Sequence, residues 1–283
     1  MNSIKQIEVI YNNRLVGRLA LTREGLCAFE YSAEWLSSGF SISPFELPLR
    51  SGVFIAKPRP FEGGFGVFDD CLPDGWGLLI LDRYLQQKGI NPRTLTLLDR
   101  LALVGSTGRG ALEFRPDNSV VTRQDFADFE KLALEAEKIL ASDDYMGEGI
   151  EEFQDRGGSP GGARPKIFVR YNDKEWLVKF RAKRDSQSIG VDEYRYSLLA
   201  KECGIEMPET RLFEGKYFGV ERFDRTLGGK LHVVSVAGLI GADYRLPSID
   251  YKHIFQVCAM LTHSVAAVSY THLRAHETGR NLV

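Results

Sequence analysis

Gly157-Gly158-Ser159-Pro160-Gly161-Gly162-Ala163-Arg164-Pro165-Lys166 is a glycine-rich, basic stretch, followed by apolar Ile167-Phe168-Val169 and then by Trp176-Leu177-Val178-Lys179-Phe180. Glycines let a backbone approach a phosphate closely, and a lysine on the next strand can neutralise its charge. The stretch therefore reads as a nucleotide-handling loop entering a sheet. It is not a Walker A loop, because Lys166 sits between Pro165 and Ile167 and GxxxxGK[ST] is not matched.

Downstream, two strand-like segments meet at Asn172-Asp173, with Lys179 embedded in the apolar second one. The competing reading for Lys179 is an edge lysine whose stem covers apolar surface. Asp192 is expected to cap a helix over 193–203 that stops at Gly204. Glu193 falls in its first turn, where a carboxylate also suits the helix dipole. Tyr217-Phe218-Gly219-Val220 then runs into the charged connector Glu221-Arg222-Phe223-Asp224-Arg225. Glycine loop, strand lysine, helix glutamate, strand and connector follow the order of a protein-kinase small lobe, where the connector receives adenine.

Upstream, Ile7-Glu8-Val9-Ile10-Tyr11 turns at Asn12-Asn13 into Leu15-Val16-Gly17-Arg18-Leu19, a hairpin pattern, and Cys27-Ala28-Phe29-Glu30-Tyr31 alternates likewise. A Pro- and Gly-rich stretch over 43–66 reads as extended loops, with Phe45, Phe54, Phe61, Phe65 and Phe68 packing into a core. Asp74 is a candidate N-cap for a helix over 76–88 that ends at Gly89, and a second helix is expected over 97–104. Gly105-Ser106-Thr107-Gly108-Arg109-Gly110 is GxxGxG after a helix, whereas a dinucleotide fingerprint is GxGxxG between a strand and a helix. A structural turn is expected there. Apolar residues recur at helical spacing from Phe126 to Leu140, with Asp125 near the start.

The chain has 283 residues, 43% hydrophobic and 26% charged, with a net charge of −2. Near-neutral charge gives no global case for a nucleic-acid or membrane surface, so any basic site is local. No run approaches the ~20 apolar residues of a membrane span. Cys27, Cys71, Cys203 and Cys258 are scattered without metal-ligand spacing, as expected of buried thiols in a reducing cytoplasm.

These segments together resemble the HipA-like serine/threonine kinases, toxins of bacterial type II toxin–antitoxin modules. The resemblance extends to about residue 266. It rests on Phe40-Ser41-Ile42-Ser43-Pro44, Leu47-Pro48-Leu49, Leu72-Pro73-Asp74-Gly75-Trp76-Gly77 and Asp99-Arg100-Leu101-Ala102-Leu103-Val104-Gly105. In the second half it rests on Gly161–Lys166, Glu193-Tyr194, Leu199-Ala200-Lys201 and Val220-Glu221-Arg222-Phe223-Asp224-Arg225.

The resemblance implies an α+β protein. Its expected parts are a HipA N-terminal-type domain (1–118), a helical connector (119–156) and an incomplete kinase-like nucleotide-binding lobe (157–267), with the helical C-terminal lobe mostly missing. It implies an ATP site at Gly161, Gly162, Ala163, Arg164, Pro165, Lys166, Lys179, Glu221, Arg222 and Phe223, with Glu193 as an orienting or capping carboxylate. Ser159 falls where the family has an autophosphorylated serine; the plain alternative is an ordinary Ser-Pro loop. ATP and Mg2+ are the implied cofactors of the full-length parent. The implied partners are a helix-turn-helix antitoxin, through which DNA is contacted, and a protein substrate such as an aminoacyl-tRNA synthetase. A cytoplasmic location, with no membrane contact, completes the expectation.

The family's catalytic base and metal ligands lie in an Asp-His-(x)-Lys-Asn type loop and a later Asp. After Arg225 the sequence offers only Asp243, Asp250 and Asn281, none in that pattern, so no catalytic base or metal ligand is assigned. Val268-Ser269-Tyr270-Thr271-His272-Leu273-Arg274-Ala275-His276-Glu277-Thr278 matches one reading frame of a transposase-based sequencing adapter. Residues 268–283 are therefore expected to be translated adapter on a truncated gene, leaving the chain inactive and apolar surface exposed near Leu239-Ile240 and over 254–260. The alternative of another class is a non-catalytic nucleotide- or partner-binding module, either a pseudokinase or one half of a split kinase. A Rossmann oxidoreductase built on Gly105–Gly110 fails on motif order.

Overall fold

The computed structural model describes residues 3–119, 127–142, 144–157, 161–247 and 249–262. The chain begins with β1 (Gln6–Tyr11), β2 (Arg14–Leu21), β3 (Cys27–Tyr31), α1 (Ala33–Ser38) and β4 (Val53–Ile55). Next come α2 (Gly66–Asp69), α3 (Gly75–Gln87), a 3-10 turn at Pro92–Thr94, α4 (Leu97–Val104) and β5 (Leu112–Arg115). The strands make an antiparallel sheet in the order β4-β3-β2-β1-β5. Asn12 and Asn13 both take positive φ (45° and 62°), the two-residue turn whose twist suits a hairpin. Ile7, Val9, Val16, Leu19 and Phe29 face one core together with Leu98, Leu101 and Phe114. A capping box between Thr96 and Asp99 fixes the start of α4.

Helices α5 (Phe129–Ala141) and α6 (Gly149–Gly157) lead into β6 (Lys166–Tyr171), β7 (Lys174–Lys179), α7 (Ile189–Glu202), β8 (Thr210–Phe213) and β9 (Tyr217–Glu221). The second antiparallel sheet has the order β6-β7-β9-β8. Its β6–β7 hairpin again turns on two positive-φ residues, Asn172 and Asp173. Phe129, Leu132, Ala136 and Ile139 of α5 and Ile150 and Phe153 of α6 pack with Ile167, Val169, Trp176 and Val178. Trp76 and Ile80 of α3 join this second core, so α3 belongs by packing to the second sheet and not to the first. The ribbon β10 (Arg225–Thr226) and β11 (Gly229–Lys230) precedes α8 (Val236–Ile240) and α9 (Tyr251–Thr262).

Several expectations need correction, and others fall outside what is described. Asp74 stands at the N-cap position of α3 but makes no side-chain bond to its own helix. α7 begins one turn earlier than expected: Ser188 is at its N-cap position, and Asp192 lies in its first turn, accepting a hydrogen bond from the Ser188 hydroxyl at 2.7 Å. Phe45 is exposed, whereas Phe54, Phe61, Phe65 and Phe68 are buried. Leu239 is buried, since α8 packs on α2 so closely that a Cβ on Gly66 would meet the Gly238 carbonyl; Met260 and Leu261 of α9 are exposed. Ser159, Asp125 and the tail 268–283 lie outside the described residues.

Candidate functional site: a glycine loop over a lysine–glutamate pair

The glycine loop bridges α6 and β6, and its Gly162 and Ala163 are exposed. Gly162 takes φ +93°, a conformation that a side chain at this position would strain. Lys166, the first residue of β6, is 94% buried by contrast (6% exposed) and turns its ammonium back onto the Gly161 carbonyl. Burial pushes its pKa down to about 8, and the neighbouring Lys179 charge adds to the shift against Asp74 and Glu193.

Lys179 ends β7, and its Nζ lies 2.9 Å from Glu193 Oε2 and 5.2 Å from the centre of the Phe218 ring. Arg164 shares that glutamate, with Nη1 2.9 Å from Glu193 Oε1 and Nε 3.0 Å from Asp185 Oδ2. Glu193 thus gathers the strand lysine and the loop arginine from two sides. It is held in place because α7 runs against β9 at Gly190, where a Cβ would meet the Lys216 carbonyl at 2.1 Å. A cleft of about 460 Å³ opens here, lined by Arg164, Lys179, Phe180, Glu193, Tyr217 and Phe218. On the loop's other side, Gly162 and Ala163 wall a cavity of about 740 Å³ with Asp69, Asp74, Arg109 and Tyr244.

The connector is placed differently. Phe223 is 60% exposed, and the Glu221 carboxylate turns to Lys174 at 2.8 Å. The Arg222 side chain is buried, stacked 4.2 Å over the Phe168 ring and paired with Asp224 at 2.8 Å and Glu175 at 3.2 Å. Asp224 is only 4% exposed and also accepts the Gly110 amide at 2.8 Å. Arg225 donates to the Gly108 and Gly110 carbonyls, both at 2.8 Å. Lys230 adds a bond to Glu113 at 2.6 Å.

This buried network clamps the connector to the Gly105–Gly110 turn of the first half. It holds Asp224 below the usual carboxylate range: burial alone would raise it, but the Arg222 hydrogen bonds, the Arg222 and Arg225 charges and the Gly110 amide outweigh burial. The sequence places a turn at Gly105–Gly110 and a charged connector at 221–225, but no spacing rule pairs segments over a hundred residues apart. Asp74 is the other residue missed. Its carboxylate accepts the Gly162 amide, and the Trp76 amide donates to the Gly162 carbonyl at 3.0 Å. The available signal was Gly75 inside a helix start: it takes φ +43°, and a Cβ there would meet the Gly162 carbonyl at 2.7 Å.

Residues 7–115 match the model of the HipA N-terminal domain, and residues 158–275 match that of the HipA-like C-terminal domain. The fold is similar to a chain in the Shewanella oneidensis MR-1 toxin–antitoxin complex of HipA, HipB and operator DNA. The TM-score is 0.63 at 19% identity, over 95% of this chain and 68% of that one. No curated protein sequence matches the chain. Among the described residues, no helix is long and apolar enough to cross a membrane.

Proposed function

Because this chain belongs to the HipA-like family, we propose that its second half is the nucleotide-binding lobe of a toxin kinase that transfers phosphate from ATP to a serine or threonine of a protein. The observation that carries this reading is the Lys179–Glu193 pair beside an exposed glycine loop. A strand lysine held by a helix glutamate is the arrangement with which protein kinases grip ATP phosphates. The exposed Gly162 and Ala163 backbone, buried Lys166 and paired Lys179 fit a polyphosphate in chemistry: amide donors and cations around an anion. Exposed Phe223 offers an aromatic face at the connector for adenine, while Arg222 supports the connector from behind.

Among the described residues, no three metal ligands come together. The sequence also carries no Asp-His-(x)-Lys-Asn segment to activate an acceptor hydroxyl. A pseudokinase or split-kinase half, binding ATP without transferring its phosphate, is the alternative with the same site. Ser159 is the proposed modification site: a phosphate dianion at that position would compete with ATP. A HipB-like antitoxin is the proposed partner, by analogy with the Shewanella complex; a translation factor is the proposed protein substrate.

Calorimetric titration with ATP and with NAD tests the reading. ATP should bind with one-to-one stoichiometry, NAD should not, and Lys179→Ala should weaken ATP at least about tenfold, the loss of one charge-assisted contact. Equal binding of ATP to wild type and Lys179→Ala would overturn the assignment.

A further inference from the structure

We propose that Asp74 is a positioning residue for the glycine loop and serves as an internal stand-in for phosphate, docking the loop through the amide that an incoming nucleotide would use. This rests on the nucleotide reading of the loop given above. Asp74 comes from the first half of the chain, at the mouth of α3, yet its side chain makes no bond to that helix. It accepts instead from the Gly162 amide, 88 residues away in sequence.

Three further contacts show that the docking is built. The Trp76 amide donates to the Gly162 carbonyl at 3.0 Å, closing a two-point contact between α3 and the loop. Gly75 has no side chain because the Gly162 carbonyl would lie 2.7 Å from its Cβ. Arg109 closes the other side: a Cβ on Gly161 would lie 2.9 Å from Arg109 Nη1 and 3.4 Å from Asp74 Oδ1. Arg109 is itself tied to the Asp70 carbonyl at 2.7 Å. The first half thus contributes a carboxylate and a guanidinium to the rim of the loop.

A carboxylate oxygen accepting a loop amide makes the same contact that a phosphate oxygen makes in a nucleotide loop. In the unliganded protein this satisfies the amide of an exposed residue and holds the loop in shape. When a polyphosphate arrives, Asp74 yields or shares that amide, and its negative charge opposes the phosphates. The carboxylate therefore positions the loop and limits its affinity for anions at once. Because Arg109 is tied to Asp70 at the end of α2, whose Val67 and Phe68 lie in the first core, while α3 packs in the second, loop position is set across both halves of the molecule.

The two roles separate by substitution. Asp74→Asn keeps an acceptor oxygen but removes the charge, so the loop should stay docked. ATP affinity should then rise about five- to tenfold, ADP less, and adenosine not at all. Asp74→Ala removes the acceptor, so amide exchange in the peptide carrying Gly161–Arg164 should accelerate while exchange in α3 is unchanged. A purely structural aspartate would not make the gain depend on phosphate number. Equal effects of Asp74→Asn on ATP and adenosine, or unaltered loop exchange in Asp74→Ala, would overturn the proposal. If the wild-type chain binds no adenine nucleotide, the functional reading fails, while the exchange comparison still decides whether Asp74 holds the loop.

Discussion

Replacing Asp224 by alanine should unlock the connector from the first half of the chain. Its carboxylate accepts from Gly110, Arg222 and Arg225 at 2.8–3.0 Å in a place only 4% exposed. Asp224→Ala leaves two guanidiniums facing each other, with Glu175 at 3.2 and 3.5 Å as their remaining carboxylate. Removing one partner of a buried ion pair costs about 3–5 kcal/mol, chiefly because the other charge stays buried and uncompensated. At about 2–4 °C per kcal/mol for a chain of this size class, Tm should fall by on the order of 10 °C.

Thermal and urea unfolding followed by circular dichroism measure the change directly. The Asp224 carboxyl is held below its ordinary value, so its stabilisation is present above the ordinary carboxylate range and is lost as pH falls through the lowered value. The gap between wild type and Asp224→Ala should accordingly narrow in acid. A variant within about 0.5 kcal/mol of wild type at neutral pH would place the network among ordinary surface pairs and refute the clamp.

Lys166 should make nucleotide binding pH-dependent. Its pKa of about 8 in the free protein, set first by burial, must rise when a phosphate sits against it, so affinity should fall as pH climbs through about 8. Titrations in buffers of different ionisation enthalpy should show proton uptake there, and Lys166→Met should bind weakly with no such dependence. In the unliganded protein, the cost of burying the charged lysine is relieved as pH rises from about 8 towards 10.5, so stability should gain in that window. Asp69, in the larger cavity, has its carboxyl pushed up to about 6 by burial, with the Asp70, Glu62 and Asp243 charges adding and Arg245 opposing. The stability tied to its protonated form is lost as pH rises through about 6, so Asp69→Asn should be about 1–3 kcal/mol more stable than wild type at neutral pH. In denaturant titrations, that advantage should vanish below the ordinary carboxylate range.

What the sequence disclosed was local. Paired turn residues at Asn12-Asn13 and Asn172-Asp173, apolar spacing in α5 and the Gly204 stop each act through neighbours in the chain. Lys179 and Glu193 were also legible, because strand and helix order fixes their approach once the kinase-like arrangement is recognised. The start of α7 was misplaced because Asp192 resembles a cap, although an acidic residue is equally at home inside a first turn. Asp74 resembles a cap on the same local logic, whereas its carboxylate accepts the Gly162 amide. The Arg222–Asp224–Arg225 clamp was hidden for a physical reason: charges are ordinarily exposed, and only the fold reveals that these are buried against the Gly108 and Gly110 backbone.

Labelling with an acyl-phosphate derivative of ATP tests the central claim most directly, since the reagent transfers its acyl group to lysines that lie beside the bound phosphates. The account predicts labelling at Lys179 or Lys166, located by peptide mass spectrometry, suppressed by excess ATP and redirected in Lys179→Ala. Labelling scattered over surface lysines and unaffected by ATP would contradict it.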